Sequence, residues 1–461
     1  MAKGKLDPVT EARRNIVMGF LAVILTGTVL LMLPISQAQG KLTNFLDALF
    51  TSTSAVCVTG LVVKDTGTYF SFFGQLIILL LIQIGGLGYV TMMTLIYLAR
   101  GDQVGLRQKI SVAVQLNKPD FGGVTNLLLF SLKVSLFFEV IGAFLLSFRF
   151  IPQFGPVEGL WASIFHSVSA FNNAGFDIMG GFKSLIDYVS DPLVNITIMG
   201  LIIAGGLGFI VWEELLEYSK SFIAGLKGEG RRMKINDLSI HTRIVISATV
   251  VLIIVPAIML LIFEWVNPHT IGNLPLSGKL WASLFQAVTP RTAGFATLDM
   301  SKMMLPSILL ITFLMFVGGS PGGTAGGIKT TTFVVVLQYL QSIMQNKKAV
   351  ILRSRRIAED TVRLALAIFI LQLITVSISI LFLSIAMPNS PFEDIFFEAF
   401  SAIGTVGLSR GLTTQLNSLG KVIIIITMFM GRVGTISILA GYIFTPTREL
   451  YTLPEDDIAV S

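Results

Sequence analysis

The stretch FVGGSPGGTAGGIKTTTF, residues 316–333, decides how the rest of the chain is interpreted. Apolar sequence flanks it, with ILLITFLM before it and VVVL after it, and its centre, residues 318–327, contains six glycines. The flanks predict a membrane span, whereas glycine and proline disfavour a helix interior. Irregular backbone at membrane depth must be buried in protein or line a water-filled path. We call residues 318–327 the interrupting segment.

The composition is that of a polytopic membrane protein. Of the 461 residues 53% are hydrophobic and 13% charged, and the mean hydropathy is +0.79. So much apolar surface cannot be hidden in a water-soluble core. Apolar runs long enough to cross a ~30 Å hydrocarbon core predict eight spans, at 14–34, 71–99, 124–148, 191–217, 243–264, 303–340 (interrupted), 361–386 and 420–444.

Basic residues predict the orientation of these spans. They gather in the N-terminus, in the loops near 100–120, 218–243 and 345–363, and in the tail at Arg448. An excess of Lys and Arg marks the cytoplasmic side, so both termini are predicted to be cytoplasmic. The clusters suit lipid headgroups or a docked cytoplasmic partner, and the sequence leaves both open.

The sequence contains no motif that points to an enzyme, and it also excludes a disulfide framework. Cys57 is the only cysteine, which excludes an intrachain disulfide framework. In GGTAGGIKT, Ile328 displaces Lys329 by one residue from the lysine position of a phosphate loop, and no soluble strand precedes it. No metal-ligand spacing relates the three histidines, His166, His241 and His269.

Four similar connections join the spans in pairs. They read FLDALFTSTSAVCVTGL (45–61), LWASIFHSVSAFNNAGF (160–176), LWASLFQAVTPRTAGF (280–295) and DIFFEAFSAIGTVGL (394–408). Each has helical sequence with Phe, then small hydroxylated residues, then a glycine followed by Leu or Phe. Such a recurrence signals internal repetition. It predicts repeats at 1–105, 106–225, 226–345 and 346–461, the last with a C-terminal tail; the third connection is one residue shorter and is expected to run differently.

The second helix of each pair also repeats, as QIGGLGYV (83–90), IAGGLGFI (203–210), FVGGSPGG (316–323) and FMGRVGTI (429–436). Glycines there allow close approach to a neighbour or a bend. Arg432 stands where the other three have glycine, and free carbonyls of the broken helix are its expected partners. Lys329 is either an internal charge or directed to the cytoplasm. For Glu139 we expect a hydrogen bond between helices.

The four connections predict a cation filter. Non-helical loops from four equivalent repeats can meet on one axis, where their freed carbonyls replace the hydration shell of a monovalent cation. The half-helix before each loop adds the negative end of its dipole. Asp65, Asp177 and Asp299 follow the loops and either attract cations or are simply solvated. We call the predicted filter residues the glycine loops: Val58, Thr59, Gly60; Asn173, Ala174, Gly175; Thr292, Ala293, Gly294; Thr405, Val406, Gly407.

These motifs resemble the Trk/Ktr/HKT superfamily of potassium transporters. The resemblance rests on the four repeats, the loops CVTGL, NNAGF, PRTAGF and GTVGL and the interrupted sixth span; a single span before the first loop is most similar to the Ktr type. It implies an all-α integral membrane protein with four tandem helix/pore-loop/helix repeats around a pseudo-fourfold pore. It further implies K⁺ uptake, a homodimer and a multi-pass location in the bacterial plasma membrane, without a bound cofactor or nucleic acid. Glycine at all four filter positions fits the potassium-selective members.

The resemblance also implies that the interrupting segment is an intramembrane gate. A cytoplasmic nucleotide-binding regulatory ring (KtrA-like) would move it. The predicted gate residues are Gly318, Gly319, Ser320, Pro321, Gly322, Gly323, Thr324, Ala325, Gly326, Gly327, Lys329 and Arg432. Open alternatives are coupling to Na⁺, a sodium-conducting member of the superfamily, carrier rather than channel kinetics, and a solute carrier with discontinuous helices.

Overall fold

The computed structural model describes residues 8–100, 105–115, 123–226, 234–347, 349–435 and 437–438. These residues are mostly helical, and the two strands among them, β1 (Ile351–Leu352) and β2 (Arg355–Arg356), form a small antiparallel pair. Seventeen α-helices follow one another in the described residues. They are α1 Pro8–Met32, α2 Phe45–Val56, α3 Thr66–Tyr69, α4 Phe72–Leu87, α5 Tyr89–Ala99, α6 Leu106–Gln115, α7 Val124–Phe154, α8 Pro156–Phe171, α9 Pro192–Leu207, α10 Phe209–Leu226, α11 Ile240–Glu264, α12 Leu276–Val288, α13 Leu305–Phe316, α14 Thr330–Met344, α15 Glu359–Ala386, α16 Phe392–Gly404 and α17 Ser418–Val433.

Helices of membrane-spanning length match part of the predicted series. In the described residues, α1, α7, α11 and α15 are long and apolar enough to cross a membrane. The predicted interruption of the sixth span is present, because α13 ends at Phe316 and α14 begins at Thr330. The eighth predicted span is described through α17, and residues 439–444 of it lie outside the described residues.

The predicted spans at 71–99 and 191–217 are each sharply bent, which is one of the two outcomes expected from their glycines. Helices α4 and α5 are bent by 97° at their junction, and α9 and α10 by 100°. The junction residues Gly88 and Gly208 have φ values of 85° and 93°, outside the helical region and accessible to glycine. The sequence places both glycines in the same GGLG motif, and hydropathy alone does not reveal that the chain turns there.

The first two half-helices pack on their long helices in the same way. Ser52 in α2 donates to the Ile24 carbonyl oxygen at 2.7 Å, and Ser167 in α8 donates to that of Glu139 at 2.6 Å. A β-carbon on Gly27 or Gly142 would collide with the corresponding serine hydroxyl. Glycine thus allows the half-helix to lie close to the long helix.

Candidate functional site

The four predicted filter glycines form a closed ring. A β-carbon built on each would lie 2.7 Å or less from a carbonyl oxygen of the next glycine loop. The pairs are Gly60 with Ala174, Gly175 with Ala293, Gly294 with Val406, and Gly407 with Thr59. The order therefore runs through the four loops and returns to the first, and no side chain fits at these glycine positions.

A left-handed residue precedes each ring glycine by two positions. These residues are Val58 (φ 57°), Asn173 (57°), Thr292 (66°) and Thr405 (50°), and three of the four are β-branched, for which positive φ is rare. The glycines themselves have φ values of 88°, 70°, 78° and 98° in chain order. Four loops of different sequence thus share one unusual backbone path, and strain of this kind clusters at functional sites.

The serines of the repeated Ser-Ala motif hold three of the loops in place. The Ser54 carbonyl oxygen accepts the Thr59 amide, and its hydroxyl accepts the Gly60 amide at 3.1 Å. Ser401 bonds to Gly407 in the same way at 3.1 Å, whereas the Ser169 hydroxyl donates to the Phe176 carbonyl oxygen.

The shorter third loop runs differently, as expected. Its Ala293 amide donates to the Thr289 carbonyl oxygen at 3.0 Å, one residue closer along the chain than in the other loops. The Thr289 hydroxyl donates to the Phe295 carbonyl oxygen at 2.6 Å and takes the place of the missing serine. Thr292 and Gly294 nevertheless reach the same left-handed φ region as their counterparts.

Three hydroxyls in the glycine loops are left without a protein partner. Within the described residues, the buried Oγ1 atoms of Thr59, Thr292 and Thr405 make no hydrogen bond. A buried polar atom normally has a partner, in protein or in water. The Thr405 oxygen packs against Gly326 of the interrupting segment, where a β-carbon would lie 2.0 Å from it. No group of three His, Cys, Asp or Glu side chains in the described residues could hold a metal ion.

The interrupting segment packs directly against the glycine loops. A β-carbon on Gly326 would strike the Thr405 side chain, and one on Gly327 would lie 3.3 Å from the Gly404 carbonyl oxygen. The Thr324 hydroxyl lies 3.0 Å from the Phe171 carbonyl oxygen, at the end of α8. The segment thus touches the second and fourth loops, as an obstruction beside the ring would.

The bent junction of α9 and α10 binds the interrupting segment through its backbone. The amides of Ser320 and Thr324 donate to the carbonyl oxygens of Gly206 (2.9 Å) and Gly205 (3.2 Å), and the Phe209 amide donates to that of Gly322 (3.0 Å). Each irregular backbone satisfies the hydrogen-bonding groups that the other leaves free.

Arg432 and Lys329, the two basic residues predicted for the gate, both donate hydrogen bonds to backbone carbonyl oxygens. Arg432 donates to the carbonyl oxygens of Gly85 and Gly86 in α4 and to that of Thr324 at 2.5 Å. Lys329 is half-buried and donates to the Ala325 carbonyl oxygen at 2.7 Å. Arginine suits this task because it presents five donors in a fixed geometry. Arg432 thus ties α17 to both α4 and the interrupting segment.

A cavity of about 290 Å³ adjoins the interrupting segment. Arg13, Gln115, Gly323, Lys329 and Arg432 are among the residues that line it. Gln115, at the end of α6, accepts the Val90 amide at 3.1 Å and donates to the Leu87 carbonyl oxygen at 3.0 Å, which satisfies the bend between α4 and α5. This glutamine has no signature in the sequence, because nothing local connects it to the bend.

Glu139 makes the expected hydrogen bond between helices. Gln83 in α4 donates to its carboxylate at 3.0 Å. Asn172, the residue before the second glycine loop, donates to Gln83 at 2.8 Å and lies 3.2 Å from the same Glu139 oxygen. Sequence reasoning missed Gln83 and Asn172, whose partners lie in other elements.

The carboxylates after the loops differ in their surroundings. Asp65 accepts the amides of Thr68 and Phe182, and Asp299 pairs with Lys302 at 3.1 Å, so both are engaged in loop structure. Asp177 lies two residues after Gly175 and accepts the Met179 amide at 3.1 Å. The pKa of Asp177 is raised to about 7, because burial raises it more than the Met179 hydrogen bond lowers it, and the charge of Asp65 adds a smaller upward contribution.

Parts of the predicted cytoplasmic surface lie outside the described residues. These are the two terminal segments, 1–7 and 439–461, and the loop residues Lys118, Lys227, Arg231, Arg232 and Lys348. Among the described basic residues, Arg107 pairs with Glu11 at 3.2 Å and Arg363 with Glu359 at 2.8 Å.

The fold and the site define a helical membrane protein whose half-helices bring four loops together beside an interrupted span. The family model described as TrkH, cation transport protein, matches residues 5–449, and the chain belongs to this family. It is 43% identical over 441 residues to the Ktr system potassium uptake protein B of Bacillus subtilis, across 94% of this chain and 95% of that protein. It is 38% identical over 459 residues to the potassium/sodium uptake protein NtpJ of Enterococcus hirae, across 98% and 97% of the two chains.

A solved structure has the same fold. The potassium transporter TrkH from Vibrio parahaemolyticus matches with a TM-score of 0.68 and 17% sequence identity, across 92% of this chain and 84% of that one. The relatives are named as uptake and transport proteins, which agrees with the prediction that this chain is not an enzyme.

Proposed function

We propose that this protein takes up K⁺ across the bacterial plasma membrane, with the four glycine loops as its selectivity filter. The closed cycle of ring glycines carries the proposal, because each loop presents a carbonyl to its neighbour where no side chain can intervene. Carbonyl oxygens from four loops on one axis can replace the hydration shell of K⁺.

The interrupting segment, with Lys329 and Arg432, acts as the gate. It is packed against two of the glycine loops, and the bonds that hold it include backbone hydrogen bonds, the donors of Arg432 and the Thr324 hydroxyl. A segment held in this way can leave as a unit when those bonds break. Six glycines in the segment allow the change of backbone conformation that such a movement requires.

Further components complete the proposal. A cytoplasmic nucleotide-binding ring (KtrA-like) moves the gate from the basic side of the membrane, where both termini lie, and the name of the Bacillus relative refers to a Ktr system. Two copies form a homodimer surrounded by lipid. Nucleic acid has no role.

Sodium transport is the second candidate. The Enterococcus hirae relative is named a potassium/sodium uptake protein, which favours a role for Na⁺ as a coupled or a conducted ion. The two candidates differ in whether Na⁺ crosses the membrane, either alone or together with K⁺.

The test is growth and uptake in a bacterial strain that lacks its own K⁺ uptake. We expect the chain to restore growth at low K⁺ and to take up rubidium, more strongly with a candidate nucleotide-binding subunit present. Vesicles that contain the protein should carry rubidium in proportion to its amount. A correctly inserted protein that restores no growth and carries no rubidium would contradict K⁺ uptake, whereas uptake of sodium alone would establish the second candidate.

A further inference from the structure

Thr324 joins three parts of the molecule. It is fully buried within the interrupting segment. Its amide donates to the Gly205 carbonyl oxygen at the end of α9, and its own carbonyl oxygen accepts from Arg432 in α17. Its hydroxyl faces the second glycine loop, 3.0 Å from the Phe171 carbonyl oxygen and 3.3 Å from the Asn173 side-chain oxygen. A residue of the proposed gate therefore touches a residue of the proposed filter.

The second glycine loop is held on two sides by consecutive asparagines. Asn172 is fixed to the helical core through Gln83 and Glu139. The side-chain NH₂ of Asn173 donates to the Arg291 carbonyl oxygen in the third connection at 3.3 Å, and its side-chain oxygen shares the Thr324 hydroxyl hydrogen with the Phe171 carbonyl oxygen. One side of this loop therefore rests on fixed helices, and the other depends on the interrupting segment.

Displacement of the segment removes the Thr324 hydroxyl from two buried acceptors. Asn173 is completely buried and has a left-handed backbone (φ 57°), a conformation that asparagine accepts more readily than most residues, so its side-chain contacts help to fix the loop in this form. Loss of the donor leaves the Asn173 oxygen unsatisfied in a buried site, which favours rearrangement of the loop. By linkage, whatever stabilises the loop in its present form also stabilises the segment in its present place.

We propose that Thr324 couples the position of the interrupting segment to the ion preference of the second glycine loop. The inference rests on the proposed function and goes beyond it. It assigns to Thr324 a positioning role for selectivity, in addition to a place in the gate. Ions bound in the filter would accordingly favour the segment in its closed position, and opening would alter selectivity.

The test compares threonine variants in proteoliposomes. Thr324→Val keeps the shape of the side chain and removes its donor, and Thr324→Ser restores the donor. Thr312→Val is the matched control, because Thr312 is also buried but donates within its own helix, to the Ile308 carbonyl oxygen at 2.8 Å. The measured quantity is the ratio of the Na⁺ and K⁺ concentrations that halve rubidium uptake.

We expect Thr324→Val to change this ratio about three- to tenfold, as the loss of one hydrogen bond would. Thr324→Ser and Thr312→Val should keep the ratio of the unaltered protein. An unchanged ratio in Thr324→Val, even with faster uptake, would overturn the coupling and leave Thr324 as a latch of the gate. An equal change in Thr312→Val would overturn it as well.

Two further controls separate the possible failures. If the unaltered protein carries no rubidium, the proposed function is contradicted. If uptake is normal and Thr324→Val leaves the ratio of Na⁺ and K⁺ concentrations unchanged, only the proposed coupling is contradicted. If Thr324→Val does not insert, Thr324→Ala makes the same deletion with a smaller side chain. The K⁺ concentration that protects purified protein from thermal unfolding provides a second readout, which should shift in Thr324→Ala and stay constant in Thr312→Val.

Discussion

At the residue scale, the ring glycines are the most sensitive positions. Gly60→Ser places a side chain where a carbonyl of the next loop lies and where φ is 88°, so the loops must separate. We expect the preference for K⁺ over Na⁺ to fall about tenfold or more, which corresponds to ~1.4 kcal/mol. Competition of Na⁺ and K⁺ with rubidium uptake measures it.

Gly40→Ser is the matched control for this variant. Gly40 also has a positive φ, of 68°, but a β-carbon there meets no atom within 4 Å. Its selectivity should equal that of the unaltered protein. Serine variants of Gly60, Gly175, Gly294 and Gly407 that all keep normal selectivity would remove the filter assignment.

Asp177 predicts a dependence of uptake on external pH. Its pKa is raised to about 7, so the carboxyl is neutral below that pH and charged above it. A charged carboxylate two residues after Gly175 attracts cations, and uptake at low rubidium concentration should rise between about pH 6 and 8. In Asp177→Asn this part of the rise should disappear; an identical pH profile in both proteins would show that Asp177 does not contribute.

The sequence revealed some residues of the site and concealed others. The four glycines were predictable because they recur in aligned motifs, and Arg432 because a buried charge at a glycine position needs acceptors. Gln83, Asn172 and Gln115 were not, since an isolated Asn or Gln has no signature until its distant partner is known. Thr324 was predicted as one of the gate residues, but nothing in the sequence connects its hydroxyl with the second glycine loop.

At the element scale, the interrupting segment is either an obstruction or a linker. Removal of residues 320–325 should raise rubidium flux if the segment blocks the pore, because the glycine loops keep their own serine contacts. A linker would behave in the opposite way, and its loss would misplace α14. A deletion variant that inserts, keeps its selectivity and conducts no faster than the parent would refute the gate.

Arg432→Ala should resemble the deletion. It removes the donors that join the segment to α4 and α17, which shifts the equilibrium towards the open state. The rubidium flux of Arg432→Lys should lie between that of the unaltered protein and that of Arg432→Ala, because one ammonium cannot reproduce the planar set of donors of a guanidinium. The measurement is the rubidium flux per correctly folded molecule for each of the three proteins. A flux of Arg432→Ala equal to that of the unaltered protein would contradict the proposal that Arg432 holds the interrupting segment closed.

The sharp bends after α4 and α9 are features of the fold that hydropathy does not predict. Hydropathy counts apolar residues and extends a span through Gly88 and Gly208, whereas the structure turns the chain by 97° and 100° there. The turn is stable because other elements satisfy its backbone: Gln115 at the first bend and the interrupting segment at the second. Such partners are tertiary information that a local pattern does not contain.

At the scale of the whole molecule, the family and the helical membrane fold were predictable, because composition and repeated motifs depend on no single contact.

The cytoplasmic surface yields a further prediction. The charge reversal Arg355→Glu with Arg356→Glu should weaken binding of a nucleotide-binding ring and reduce its sensitivity to salt, since both arginines are exposed. Lys183→Glu, an exposed change in the loop between α8 and α9, is the control. Normal ring binding by a correctly inserted double variant would leave these charges a role in topology alone.

The most direct test of the central claim is to locate the ions. Crystals of the protein grown in rubidium or thallium salts should give anomalous peaks on the axis of the ring formed by Gly60, Gly175, Gly294 and Gly407, with carbonyl oxygens of all four glycine loops around them. A structure with well-ordered glycine loops, no anomalous peak on that axis and monovalent cations bound elsewhere would contradict the filter.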